Sequence, residues 1–162
     1  MNKLLITEAP FDAGAELASL AATGAGGIAS FIGAVRAADE RGAALAALHL
    51  EHYPGLTQAA LARLAEAATM RFDLAGVVII HRVGRLLPGE MIVLAATASS
   101  HRGPALEAVG FIADQLKTAI PFWKAEELPD GTKQWLAPKA ADEALARNWL
   151  ETWPADANGH KE

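Results

Sequence analysis

The sequence contains no cysteine. That excludes a disulfide framework, a thiolate metal site and a cysteine nucleophile, and it is compatible with a reducing compartment. No stretch approaches the roughly 20 apolar residues needed to span a bilayer. The opening MNKLLITEAPFDAG has only a short apolar run with acids close behind it, unlike a signal peptide. A soluble cytoplasmic protein with no membrane role is the expectation. Positive charge is in deficit, 14 Lys and Arg against 19 Asp and Glu, for a formal net charge of -5. A general nucleic-acid binder would carry a basic footprint, so that class is disfavoured, although net charge does not exclude a local basic pocket. The glycine cluster from Thr23 to Gly27 has neither the lysine and Ser/Thr of a P-loop nor a G-x-G-x-x-G pattern, and reads as a turn. Ser99 and Ser100 lie near His101 without the G-x-S-x-G turn of a serine hydrolase. Glu51 and His52 are adjacent on a strand and point to opposite faces. No third ligand stands at metal spacing, so neither a metal nor a cofactor is assigned.

What is present is a globular composition, 52% hydrophobic and 20% charged over 162 residues, within the usual size of one compact domain. Residues 1–150 read as that domain and 151–162 as a polar, flexible tail. Lys3 to Thr7 reads as a strand, followed by a helix capped by Asp12. Gly27 to Val35, GIASFIGAV, reads as a buried strand, and Ala37 to Ala44 as a flexible charged loop that orders on binding. Leu45 to Tyr53 shows period-2 alternation, and Thr57 is placed to cap a helix through about Arg71. Gly76 to Val83 and Glu90 to Ala98 are strands expected to pair as neighbours. A long helix is expected from Pro104 to about Ala119, and Pro121 then forces the chain out of the helical region. Phe122 to Glu127 and Lys133 to Ala137 read as a hairpin across the Pro129-Asp130-Gly131 turn. A last helix runs from Ala140 to about Trp149. The order is that of an α+β fold, with helices packed against one mixed sheet.

Chemistry concentrates between Ser99 and Glu126. His101-Arg102 precede the long helix, whose N-terminal N–H groups and dipole suit a phosphate or carboxylate. Arg102 adds a planar fork able to bind such a group bidentately. Alone, such a pair reads more readily as a surface arginine with a polar neighbour, and His81-Arg82 on a strand reads as structural. Lys117 ends the helix, where a cation also suits the dipole. Lys124 sits in an extended segment beside Trp123 and Phe122. Desolvation there would lower its pKa and make it a proton acceptor or nucleophile; the other reading is a lysine whose stem covers apolar surface. Arg36 follows a strand at the start of a loop.

Several segments together resemble one family. They are Gly33-x-Val35-Arg36, Leu50-Glu51-His52-Tyr53-Pro54-Gly55-Leu56-Thr57, Ile80-His81-Arg82-Val83-Gly84, Pro88-Gly89-Glu90, Ser99-x-His101-Arg102, and Leu116-Lys117-x-x-x-Pro121-Phe122-Trp123-Lys124-x-Glu126. Their order and spacing resemble the catalytic (large) subunit of molybdopterin synthase, over about residues 3 to 150. The resemblance implies an α/β hammerhead type of fold and a sulfurtransferase of molybdenum cofactor biosynthesis. Its substrate would be cyclic pyranopterin monophosphate, converted to the molybdopterin dithiolene. Sulfur would come from the thiocarboxylated Gly-Gly C-terminus of a small ubiquitin-like subunit. The large subunits would pair as a dimer within a heterotetramer.

By the same resemblance Lys117 and Lys124 match catalytic positions. Ala34, Val35, Arg36, His101, Arg102, Ala125 and Glu126 match substrate-binding positions, Glu126 as the acid that orients the second lysine. At Ala34 and Ala125 relatives can carry basic side chains, so contacts there would come from backbone or methyl groups. Lys139 falls where a relative carries an arginine that reaches a neighbouring subunit's pocket. A non-catalytic module that holds an anion or a partner's tail is the alternative, supported by Ala34 and Ala125 and opposed by the joint presence of both lysines, His101 and Arg102. A helix of about 16 residues is roughly 24 Å long, too long to bring both ends to one small substrate. His101-Arg102 of one protomer are therefore expected to serve the lysines of another.

Overall fold

The computed structural model describes residues 1–151; the expected tail lies outside them, except residue 151, which ends the last helix. In chain order the elements are β1 (Asn2–Thr7), α1 (Ala13–Ala21), β2 (Gly27–Ala34), β3 (Ala47–His52), α2 (Pro54–Phe72), β4 (Leu74–Arg82), β5 (Gly84–Leu86), β6 (Met91–Ser99), α3 (Arg102–Thr118), β7 (Phe122–Glu127), β8 (Lys133–Leu136) and α4 (Ala140–Glu151). The α+β class is as expected, but the single mixed sheet is not. The strands form two four-stranded sheets, in the orders β1-β4-β6-β2 and β5-β3-β7-β8. Hydrophobic alternation specifies which side chains share a face, not which strands pair, so the split is invisible to it.

β4 and β6 form the centre of the first sheet and pair antiparallel, as expected. Both of their faces are covered. Val77 and Ile79 meet α2 and α3 through Leu61, Leu64, Phe111 and Ile112, while Val78 and Ile80 meet α1 through Leu20. Successive residues of a strand point to opposite faces, so a continuous apolar run is what a twice-covered strand requires. Each fully buried Leu or Ile here stabilises the fold by about 1.5–3 kcal/mol. A third cluster of Val35, Leu48, Leu50, Val83 and Leu86 joins the second sheet to the first.

β2, expected to be buried, is instead the edge of the first sheet, and it leaves Ile28, Phe31 and Ile32 about 40% exposed (39%, 41% and 41%). Its inner side rests on α3 through small residues, Ala29 against Ala105 and Val109. A Cβ on Gly27 would lie 2.9 Å from the Arg102 backbone nitrogen, so the start of β2 approaches His101-Arg102 as only glycine permits.

Two helix starts differ from expectation. α2 begins at Pro54 with Tyr53 as N-cap, because proline at the first helical position gives up no hydrogen bond. Thr57 is therefore inside the helix and fully buried; its hydroxyl donates to the Pro121 carbonyl at 3.3 Å. α3 begins at Arg102 with His101 as N-cap and Pro104 within the first turn, where the missing N–H is again harmless. The loop after β2 is not shapeless. Asp39 Oδ1 accepts from the Arg41 and Ala43 N–H groups, both at 2.8 Å, and Ala38 bridges Ala44.

α4 is seated on α3. Gln115 Nε2 donates to the Ala146 carbonyl at 3.0 Å, and Trp149 Nε1 to Asp114 at 2.8 Å. The Arg71 guanidinium donates to the Trp149 carbonyl and lies 5.2–5.4 Å from the ring centres of Phe72, Phe111 and Trp149. On the outer face of the second sheet, Arg85 of β5 grips Glu127 of β7 through Nε and Nη2 at 3.0 and 2.9 Å. His49 of β3 pairs with the same carboxylate. The Arg85 bonds first, and His49 next, hold the Glu127 pKa down to about 2.

His81-Arg82 are structural, as read. Arg82 is buried and donates to the Glu8 and Met91 carbonyls and to Glu90. His81 is buried, donates from Nδ1 to the Arg82 carbonyl at 2.8 Å, and stacks on Phe122 at 3.8 Å. Desolvation pushes its pKa down from 6.5 to about 4. Because the folded value lies below the unfolded one, protonation favours unfolding. The stability held by neutral His81 is present in full above pH 6.5 and is lost as pH falls through 4. On the order of 3 kcal/mol of unfolding free energy should disappear across that window. Urea unfolding of His81→Phe over the same range should show a shallower decline than wild type; an equal decline would clear His81 of this role.

Candidate active site

The second sheet turns one face to a cavity of about 600 Å³. Directly opposed residues of paired strands lie on the same side. The register Leu50↔Lys124↔Leu136 and Leu48↔Glu126↔Gln134 therefore aims Lys124 and Glu126 inward together, with Phe122 beside them. The cavity is completed by Ala34, Val35 and Arg36 at the end of β2 and just beyond it, by Lys117 and Thr118 at the end of α3, and by Lys139 and Asp142 around the start of α4.

One proline and a helix end explain how lysines seven residues apart in sequence reach one cavity. α3 stops at Thr118, and Pro121 directs the chain into β7. Lys117 reaches in from the last helical turn and Lys124 from the strand. The Lys117 ammonium donates to Asp142 Oδ1 at 3.1 Å. Lys124 is half-buried. Its pKa is lowered by desolvation first and by the Lys117 charge second, with Asp142 opposing. Behind it stands the neutral His81–Phe122 stack. Lys139 is paired with Glu40. Among the described residues no hydrogen bond or ion pair holds the side chains of Arg36, Arg41 or Lys124, so these are the pocket cations open to an anion.

The sequence-designated residues thus divide. Ala34, Val35, Arg36, Lys117, Lys124 and Glu126 line one cavity. Ala125 does not; it is fully buried on the other face, between His49 and Trp135. Lys139 lines the pocket of its own chain. His101 and Arg102 are exposed at the far end of α3, with no side-chain cap bond from His101. The 17 residues of α3 put about 25 Å between them and Lys117.

One pocket residue went unrecognised in the sequence. Asp142 reads there only as an acid in the first turn of a helix, where the dipole favours it. Nothing in spacing ties it to Lys117; only the seat of α4 on α3 does.

The chain matches the family model described as "MoaE protein" over residues 6–119. It is 45% identical over 151 residues to a protein of Ralstonia nicotianae named molybdopterin synthase catalytic subunit, covering 92% of this chain and 85% of that one. Among solved structures it is similar to the molybdopterin biosynthesis MoaE protein of Burkholderia ambifaria, with TM-score 0.76, 45% identity, and 92% and 99% of the two chains covered. It is also similar to molybdopterin synthase from Staphylococcus aureus, with TM-score 0.73, 25% identity, and 82% and 95% covered. No described helix is long and apolar enough to cross a membrane.

The causes acting on Lys124 are open to measurement. Its ammonium should titrate below 10.5 in heteronuclear NMR of the lysine side chains. Lys117→Met, which removes a like charge, should move that midpoint upward. A midpoint at or above 10.5 in the wild-type protein would contradict this electrostatic account.

Proposed function

The chain belongs to the MoaE protein family, and from that premise we propose that it is the catalytic subunit of a molybdopterin synthase. It transfers sulfur from the thiocarboxylated Gly-Gly C-terminus of a small ubiquitin-like subunit to cyclic pyranopterin monophosphate, in the cytoplasm, and the product carries the molybdopterin dithiolene. The observation that carries this reading is the convergence of Arg36, Lys117, Lys124 and Glu126 on one cavity from three separate parts of the chain. A non-catalytic anion-binding module has no need of a desolvated lysine beside a second, carboxylate-paired one.

Roles follow from the environments. The unpaired Arg36 fork suits the substrate phosphate. Lys124, with its lowered pKa, suits proton transfer as the cyclic phosphate opens. Lys117, held by Asp142 at the cavity wall, suits stabilisation of developing negative charge. Glu126 lies on the Lys124 side of β7, which suits the orienting role that the family resemblance gives it once substrate is bound. A Gly-Gly tail, having no side chains, enters such a cavity without displacing its walls.

His101 and Arg102 join the site through a second copy of the chain. β2 is an unpaired edge carrying exposed Ile28, Phe31 and Ile32. One of its ends abuts His101-Arg102 at Gly27, and the other leads into Ala34–Arg36 of the pocket. Its eight residues span roughly 27 Å, about the length of α3. Two copies meeting antiparallel along this edge about a twofold axis set the His101-Arg102 end of each beside the pocket end of the other.

Purified protein supplied with thiocarboxylated small subunit and cyclic pyranopterin monophosphate should form molybdopterin. Lys117→Ala should lower the rate by about 100-fold or more while circular dichroism stays unchanged; retained activity would remove Lys117 from the mechanism. If pockets are shared between protomers, mixing inactive Lys117→Ala with inactive Arg102→Ala should restore up to about a quarter of wild-type activity, because half of the dimers then hold one intact site. No recovery after subunit exchange would place the site within one chain.

A further inference from the structure

Asp142 is assigned no part in the chemistry by sequence or by similarity, yet its carboxylate faces the same cavity as both lysines. Lys117 ends a helix on a flexible four-carbon stem, with 46% of its side chain exposed, whereas Asp142 is only 22% exposed. Exposed ion pairs usually contribute little, because two long side chains must both be ordered. Here one partner is ordered in advance. Asp142 is short, and it stands in the first turn of a helix fixed by Gln115, by Trp149 on Asp114, and by Arg71.

Two of the other three carboxylates of the cavity are engaged elsewhere, and the third stands on β7 with no bond to Lys117 among the described residues. Asp39 accepts from its own loop, Glu40 holds Lys139, and Glu126 shares the inward face of β7 with Lys124. The remaining charges facing Lys117 are cationic: Lys124, Lys139, Arg36 and Arg41. An ammonium in that company is repelled toward solvent unless one fixed negative charge holds it.

We propose that Asp142 is a positioning residue, its carboxylate fixing the Lys117 ammonium at the cavity wall while α4 acts as the bracket that presents it. This rests on the sulfur-transfer reading above. Asp142 touches Lys117 and not the reacting atoms, so its loss acts on turnover through that lysine. A purely structural Asp142, favourable only to the helix dipole, would leave the properties of Lys117 untouched.

Asp142→Asn keeps the shape and removes the charge. It should raise the rate at which a small acylating reagent labels the Lys117 amine at pH 8 by about 3- to 10-fold, since the hydrogen bond that holds this group against Asp142 is then lost. It should lower kcat by about 10-fold or more and shift the pH–rate profile, with KM within about twofold of wild type. Asp142→Glu should restore labelling toward the wild-type rate and recover part of kcat. Unchanged Lys117 labelling in folded Asp142→Asn overturns the proposal, even if kcat falls, because the effect is then one of helix seating. If Asp142→Asn does not fold, Asp142→Ser, which keeps a short polar side chain in the first turn of the helix, decides by the same labelling: faster labelling of Lys117 supports the role, and an unchanged rate overturns it. Absence of molybdopterin formation by the wild-type protein refutes the functional reading alone, since the labelling ratio still decides whether Asp142 governs Lys117.

Discussion

A helix cannot be shortened without unmaking its hydrogen bonds, and α3 is held along its length. Ala105 and Val109 meet β2, Phe111 and Ile112 enter the main core, and Gln115 anchors α4. The two basic ends of the helix are therefore held apart by its own geometry. The cavity forms at one end, where Pro121 turns the chain back into a sheet. At the other end, Gly27 lets an edge strand press against the helix start. Sheet pairing, the location of the cavity and the exposure of β2 all follow from where this rod begins and stops.

Around the cavity, charge is arranged in layers of restraint. Lys139 and Lys117 each hold a carboxylate, while Arg36 and Lys124 do not. Lys124 is the more desolvated of the two lysines, backed by a neutral histidine on an aromatic ring. A protein with an overall negative charge thus keeps a small positive region by pairing some cations and leaving others open. Net charge alone ruled out a broad basic surface but was silent on this.

The sequence made some of this legible and concealed the rest for physical reasons. Gly76 to Val83 reads as a strand paired with its neighbour, and the fold pairs them and covers both apolar faces of the run Val77 to Ile80. GIASFIGAV has the same apolar character, yet β2 is an edge: composition reports that a surface avoids water, not which molecule covers it. β5, with only three residues, is too short for periodicity to register. Thr57 looks like a cap by residue type, but Pro54 opens the helix earlier. Arg36, Lys117, Lys124 and Glu126 were legible together only through the family pattern, since each alone reads as an ordinary surface charge. Ala125 was misplaced because alternation on β7 puts it on the opposite face from its neighbours. Asp142 was unreadable, because a contact made by helix docking leaves no trace in local spacing.

The outer face of the second sheet bears on the inner one. Arg85, His49 and Glu127 belong to three adjacent strands and meet at a single carboxylate. Such a clasp is satisfied at one alignment of β5, β3 and β7. Sliding β7 by one residue would break it and also exchange the two faces of the strand. Lys124 and Glu126 would then face solvent, and Trp123 and Ala125 would fill the cavity. A charged group with no part in the chemistry therefore acts as the indexing pin of the sheet, and the cavity inherits its alignment.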